Sequence, residues 1–348
     1  MSESTLKFTH LDTCLADLLQ APHWYVAFSG GVDSTVLLHL LHSWCRGQSR
    51  APALSAVHVN HGLQAEAAQW QAHCRQQCQH LGIPLVECAV EVRNISGSGE
   101  DAARHARYHA FESLLQPGAV LFLGHHLDDQ VETFFLRLLR GAGLEGLAAI
   151  PSRRSLGQGE LVRPLLEVAR NDIEDYAREH GLCHVEDPSN SDLDMDRNFL
   201  RSRLMPVLAE RWPSYRRTVS RASDHLAVAA GVLRETLGVP ETLHSVMGDP
   251  GLSLPELLEG TDSVAALGLR AWLQVRGLQV PDKGSLEEFL RQLRGAAADA
   301  RPQLVCRSYG LQRYGQALYL LPRLVSPPSA QISLQPGEER DVPGVGRI

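Results

Sequence analysis

Apolar and polar positions alternate along the first half of the chain in short β-rich runs, separated by stretches of helical period. Trp24-Tyr25-Val26-Ala27-Phe28 predicts a buried strand closed by Ser29-Gly30-Gly31, and Val36-Leu37-Leu38-His39-Leu40-Leu41 predicts the helix behind it. A second strand is expected over Leu54–Val59, a helix over Ala65–His80 and a third strand over Leu85–Val92. A helix over Glu100–Leu115, a strand over Ala119–Leu123 and a helix over Asp128–Arg140 extend the series. Strands alternating with helices of this length predict an α/β fold with a doubly wound, mainly parallel sheet. Ligands bind such sheets beyond the carboxyl ends of the strands, so the polar residues after strands one and four are the first to inspect.

Beyond about Arg203 the pattern changes. Pro206–Leu237 reads as helical and Arg-rich, and Leu252–Gly295 as further helices broken by Gly and Pro. Leu304–Arg307 and Ala317–Leu321 read as a short strand pair, and Pro322–Pro328 has linker composition. The expected division is 1–215 for the α/β domain with a connecting helix and 216–322 for a smaller, mainly helical domain. Residues 323–348 read as a linker and the start of a truncated third domain.

Composition narrows the class. With 44% hydrophobic and 21% charged residues the chain is an ordinary globular protein. No apolar run approaches the roughly 18 residues that span a bilayer, and the first residues lack a secretory signal. Seven cysteines without a framework fit reduced thiols in a cytoplasm. A net charge of −7 argues against a uniformly basic coat, yet leaves room for a local basic face. Nearly all positive charge is arginine, which reads either as codon bias or as phosphate recognition by the guanidinium fork.

The strongest chemical signal is Ser29-Gly30-Gly31-Val32-Asp33-Ser34, between a buried strand and a helix. Two glycines let consecutive N–H groups face an oxyanion, and the helix adds its positive end. No lysine follows, as it does in the G-x-x-x-x-G-K-[ST] loop. The loop is therefore suited to a pyrophosphate that leaves. The second signal is Gly124-His125-His126-Leu127-Asp128-Asp129-Gln130-Val131-Glu132. Asp129 and Glu132, three apart, share one helical face and with Asp33 could hold Mg²⁺ or an ammonium group. Asp128 and Asp129 alone would read as charges favoured at a helix N-terminus. The His pair raises zinc, but no matching Cys/His set follows.

Ser-Gly-Gly-x-Asp-Ser after the first strand resembles the PP-loop of ATP pyrophosphatases, which adenylate an oxygen and release pyrophosphate. Further segments resemble the tRNA(Ile)-lysidine synthetases within that superfamily. These are Asn60-His61-Gly62-Leu63, Ala103-Arg104-His105-Ala106-Arg107-Tyr108, Arg163-Pro164-Leu165-Leu166, Glu186-Asp187-Pro188-Ser189-Asn190 and Arg197-Asn198-Phe199-Leu200-Arg201. Asn60 departs from the family's usual His. The resemblance runs across Phe28–Arg203 and continues more weakly to about Leu321.

That resemblance implies ATP and Mg²⁺ as cofactors. As partners it implies isoleucine tRNA with a CAU anticodon and free L-lysine; a homodimer stays open. Ser29, Gly30, Gly31, Val32, Asp33, Ser34, His61 and His125 become the expected ATP site. Asp33, Asp129, Glu132 and Arg104 are the expected catalytic residues, with Asp33 and Asp129 as Mg²⁺ ligands. Arg104, Arg107 and Arg201 are candidates for phosphate or cytosine contacts. Arg107, Arg197, Arg201, Arg211, Arg216, Arg217 and Arg221 are expected to meet tRNA. From Arg197 to Arg221 Glu210 is the single acid, so this run reads as a phosphate track or as a solvated face. Trp212 and Tyr215 within it could stack on a base, with core packing favoured for Trp212.

Two other readings stay in view. A tRNA cytidine thiolase would use paired cysteines, whereas Cys74 and Cys78 stand at x₃ spacing in a predicted helix and there is no C-x-x-C. A catalytically idle tRNA-binding protein would keep the loop only as scaffold.

Overall fold

The structure is a computed structural model and describes residues 10–60, 67–90, 99–186, 195–297, 299–322, 341–342 and 346–347. His61-Gly62-Leu63 and Asp187–Asn190 lie outside them. The chain divides into two compact units, Met1–Ala230 and Gly231–Ile348.

In the first unit the order is α1 (His10–Ala16), β1 (His23–Ala27), α2 (Val32–Gly47), β2 (Ala53–Asn60), α3 (Ala67–Leu81), β3 (Leu85–Ala89), α4 (Gly99–Leu114) and β4 (Val120–Phe122). There follow α5 (Leu127–Leu139), α6 (Leu144–Leu147), β5 (Arg153–Leu156), β6 (Gly159–Val162), α7 (Arg170–Glu179), α8 (Asp196–Phe199), α9 (Met205–Arg211) and α10 (Tyr215–Leu237), which runs past Ala230 into the residues of the second unit. A π-helical turn, Leu200–Leu204, joins α8 to α9.

The six strands lie in the order β3-β2-β1-β4-β6-β5, parallel throughout except for the β5–β6 hairpin. Successive side chains of a strand point to opposite faces, so a doubly covered strand must be apolar at every position. β1 obeys this. Trp24 and Val26 enter one core with Phe28, Val120 and Phe122, while Tyr25 enters the other with Val57, Leu121 and Phe111. The strand order reverses between β1 and β4, which opens a crevice at their carboxyl ends.

The sequence pattern misses β5 and β6 and ends the doubly wound reading at β4. Arg153-Arg154-Ser155 is too polar to read as a strand, because its edge position leaves those side chains near solvent. β6 matters for the site, since it sets Arg163 beside the end of β4.

The second unit carries a five-stranded antiparallel sheet, β7 (Leu243–His244), β8 (Pro250–Ser253), β9 (Gln303–Val305), β10 (Tyr309–Tyr314) and β11 (Ala317–Pro322), in the order β7-β8-β11-β10-β9. Its helices are α11 (Leu254–Leu257), α12 (Asp262–Val275) and α13 (Lys283–Gly295). Leu269, Trp272, Phe289, Leu290, Leu311 and Leu318 form the core. The two strands expected near residues 304 and 317 do not pair with each other; β10 lies between them and pairs with both. Gln312 and Arg313 hide that strand from a hydropathy reading. Arg313 is nonetheless buried, its guanidinium donating to the carbonyls of Gly315, Leu293 and Ala296.

Candidate active site

The crevice holds a cleft of about 1650 Å³, lined by the end of β1, the start of α2, the β4–α5 turn and residues of α4, α7 and α8. The chain leaves β1 through Ser29 and turns at Gly30, whose φ of +86° favours glycine. A methyl group there would meet Val185 Cγ2 at 2.8 Å and Cys74 Sγ at 3.1 Å, so the turn also needs the space. Thr35 N–H donates to Gly31 O at 3.0 Å, which leaves the N–H groups of Val32, Asp33 and Ser34 as the open first turn of α2. Ser34 Oγ donates to Gly31 O at 2.9 Å and takes the Ser29 N–H at 3.3 Å, tying the two ends of the loop together.

Across the crevice Gly124 lets β4 approach α2, for a Cβ there would stand 3.1 Å from the Asp33 carbonyl carbon and oxygen. His126 then caps α5. Its Nδ1 accepts the Asp129 N–H at 3.3 Å, while its own N–H donates to Asp129 Oδ2 at 3.1 Å. An Nδ1 that accepts puts the ring proton on Nε2. That nitrogen stands 3.6 Å from Asp33 Oδ1 and 3.5 Å from Asp129 Oδ2, bringing the two carboxylates together around one imidazole.

The two acids sit in different fields. Burial raises the Asp33 carboxyl above its usual range, against His126, Arg170 and Arg201, and its buried Oδ1 has no hydrogen-bond partner. For Asp129 burial also works upward, but His126, His125 and Arg197 outweigh it and hold the carboxyl low. His125 is pulled down to about 4 by burial, with Arg163, Arg104 and Arg197 assisting and Asp129 opposing. It is therefore neutral at physiological pH.

Of the residues expected from sequence, Ser29, Gly31, Val32, Asp33, Ser34, His125, Asp129, Arg107, Arg197 and Arg201 all line the cleft. Glu132 does not. It is buried beneath Arg201, which donates Nε to Oε1 at 2.7 Å and Nη2 to Oε2 at 2.9 Å, with Arg197 Nε at 3.5 Å. Glu132 and Arg216 instead line a neighbouring pocket of about 190 Å³, which Arg201 also borders. Arg104 lies outside the cleft lining, its guanidinium 5.3 Å from the Tyr108 ring centre. Arg216 donates to Asp128, whose other oxygen accepts the Arg170 N–H at 2.9 Å, so this pair secures α7 and α10. Arg211, Arg217 and Arg221 are exposed. So is Trp212, at 58%, which corrects its expected core packing.

Two cleft residues are not marked in the sequence: His58, whose Nδ1 donates to Phe28 O at 2.9 Å, and Arg170, which lines both cavities. A histidine within a strand run and an arginine opening an ordinary helix carry no local signal. Cys74 and Cys78 pack in the core, where burial pushes their thiols up to about 12 and about 11, which removes the reactivity a sulfur carrier needs.

A PP-loop domain model matches residues 4–208, and a TilS substrate binding domain model matches residues 252–319. The tRNA(Ile)-lysidine synthase of Pseudomonas putida is 46% identical over 295 residues, which cover 83% of this chain and 68% of that protein. The chain belongs to the tRNA(Ile)-lysidine synthase family. The lysidine synthase of Alkalilimnicola ehrlichii is 44% identical over 341 residues, 95% of this chain and 74% of that protein. Among solved structures, the U34-tRNA thiolase NcsA from Methanococcus maripaludis aligns with a TM-score of 0.53 at 18% identity, over 64% of this chain and 78% of that one. That likeness is one of fold. The PP-loop match thus falls on the unit that contains the cleft.

Proposed function

We propose that this chain ligates lysine to C2 of the wobble cytidine of isoleucine tRNA with a CAU anticodon, converting ATP to AMP and pyrophosphate. Lysidine at that position changes the codon read from AUG to AUA. One observation carries the reading beyond family membership: the phosphate loop, Asp33 with an oxygen free of hydrogen bonds, and Asp129 meet at one strand-end crevice.

In the first step the cytosine C2 oxygen attacks the α-phosphorus of ATP, and the bond to the β-phosphate breaks. The open N–H groups of Val32, Asp33 and Ser34, with the dipole of α2, are suited to the pyrophosphate that departs. Asp33 and Asp129 fit Mg²⁺. That ion typically takes one or two carboxylates and completes its shell with phosphate and water, and among the described residues no larger cluster of acids and histidines is arranged for a metal. When bound, Mg²⁺ offsets charge on the phosphates.

In the second step the ε-amine of lysine attacks C2 and AMP leaves. Lysine is protonated near neutral pH, so a carboxylate must first accept a proton. Asp33 and Asp129 line the cleft and can meet the ammonium; Glu132 has both oxygens engaged by Arg201. Arg107, Arg197 and Arg201 supply positive charge along the cleft, and exposed Arg211, Arg217 and Arg221 are candidates for tRNA phosphates. The second unit, matched by the substrate-binding model, would add to the tRNA contacts. Among the described residues no helix is long and apolar enough to cross a membrane, and all seven cysteines are free, which suits a cytoplasmic enzyme.

Exchange of labelled pyrophosphate into ATP, dependent on isoleucine tRNA, tests the first step. Exchange is expected; its absence would favour an idle scaffold.

A further inference from the structure

Whether the His125 nitrogen turned away from Arg163 carries the ring proton is decided by a residue just past the end of a neighbouring strand. β6 runs parallel to β4, and Leu123 N–H donates to Val162 O at 3.0 Å, which brings residue 163 level with the Gly124–His125 turn. Arg163 is only 5% exposed. Its backbone N–H donates to Ser152 O at 2.9 Å, its Nη1 to Pro151 O at 2.6 Å and its Nε to His125 Nδ1 at 3.2 Å. The Tyr108 phenol takes a further hydrogen bond from it. Among the described residues no carboxylate forms a salt bridge with Arg163. A buried cation without a counter-charge is costly, and these hydrogen bonds are what hold it beside the His125 ring.

A guanidinium donates and never accepts. His125 Nδ1 must therefore present its lone pair, and the ring proton must sit on Nε2. We propose that Arg163 is a positioning residue that locks His125 in the Nε2–H form, so that this wall of the cleft offers a neutral hydrogen-bond donor. A second proton on Nδ1 would face the guanidinium directly. The charged groups acting on the ring are Asp129 on α5, Arg104 on α4, Arg197 on α8 and Arg163 itself; three of the four disfavour an imidazolium. A neutral His125 also leaves the charge of Asp129 available to Mg²⁺ or an ammonium. The donor suits a phosphate oxygen of the bound nucleotide, a role that rests on the adenylation reading above. The tautomer lock does not rest on it.

The test is ¹⁵N-edited NMR of the histidine rings in the full chain near neutral pH, with His125 assigned by its loss in His125→Asn. The parent should show a protonated Nε2 and a bare Nδ1. Arg163→Met should mix the tautomers and lower the adenylation kcat by about 10–100-fold, the usual cost of losing a supporting hydrogen bond at a reactive site. Arg163→Lys keeps the charge without the rigid fork and should not restore the tautomer. The double variant His125→Asn/Arg163→Met should be no slower than His125→Asn alone. An Nδ1–H ring in the parent, an unchanged tautomer in Arg163→Met, or additive losses in the double variant would overturn the proposal. If Arg163→Met does not fold, the parent spectrum still decides the tautomer. A parent with the Nε2–H ring but no adenylation would retain the lock and remove the functional reading.

Discussion

Arg201 closes both carboxylate oxygens of Glu132, at 2.7 and 2.9 Å, and Glu132 is 1% exposed. The π-helical turn Leu200–Leu204 carries the arginine to the cleft, and α5 supplies the acid beneath it. A bidentate charge-assisted pair of this kind fixes the arginine's position as well as its charge.

Glu132→Gln should leave Arg201 without its charged partner and destabilise the first unit, by less than the ~1.5–3 kcal/mol of a hydrogen bond to a charged group, because burial raises the Glu132 carboxyl and already sets a cost on its ionised form. It should impair ATP and lysine use together, because Arg201 loses its anchor. Glu132→Gln/Arg201→Gln should recover part of the stability without the activity. Urea unfolding and steady-state kinetics check this. Unchanged stability with a selective loss of lysine affinity would return Glu132 to a direct role toward lysine.

Asp33→Asn should abolish adenylation and raise stability. Burial raises the folded-state pKa of Asp33 above its unfolded value. The folded protein then binds that proton more tightly, and stability is lost as pH rises through the folded pKa. At neutral pH the ionised carboxylate is a cost that Asn removes, by about 1 kcal/mol or about 2–4 °C in Tm. The gain should vanish in acid, below the unfolded pKa. A Tm for Asp33→Asn at or below the parent's at neutral pH would contradict this.

The arginines of α10 should separate into two behaviours. Arg216→Gln should weaken folding, because Asp128 and the start of α7 depend on it. Replacing exposed Arg217 and Arg221 by Gln should leave folding intact and weaken tRNA binding. Each lost phosphate contact should lower the log–log salt slope by about 0.7 for single-stranded contacts. An unchanged slope would return both to a solvated helical face.

The parts of the site legible in the sequence are those that local chemistry dictates. A Gly-Gly turn between an apolar strand and a helix, and acids at the next strand end, are marked by residue type and spacing alone. What was not legible depends on strands that meet across the sheet. β6 has four residues and no distinctive pattern, so the neighbour relation of Arg163 and His125 could not be read. Asp129 and Glu132, three apart, share a helical face as expected, but the fold turns one into the cleft and pairs the other with Arg201. The run from Arg197 to Arg221 looks uniform in sequence. Burial divides it into an ion-pair network at Arg197, Arg201 and Arg216 and an exposed remainder.

Cysteine chemistry should be dispensable. Cys74 and Cys78 are buried with raised thiols, whereas Cys183 is exposed. Alkylation of the folded protein should label Cys183 first and spare the other two. Cys78→Ala should retain tRNA-dependent turnover after any loss of stability is allowed for. A turnover that fails in folded Cys78→Ala would revive a thiol-dependent reaction.

Lysidine formation is measured directly by incorporation of radiolabelled lysine into isoleucine tRNA by the purified chain, with nuclease digestion to locate the label. We predict one lysine per tRNA, at the wobble cytidine, strictly dependent on ATP and lost in Asp33→Ala that remains folded. Label acquired without ATP, label on another nucleotide, or near-normal incorporation by folded Asp33→Ala would contradict the account.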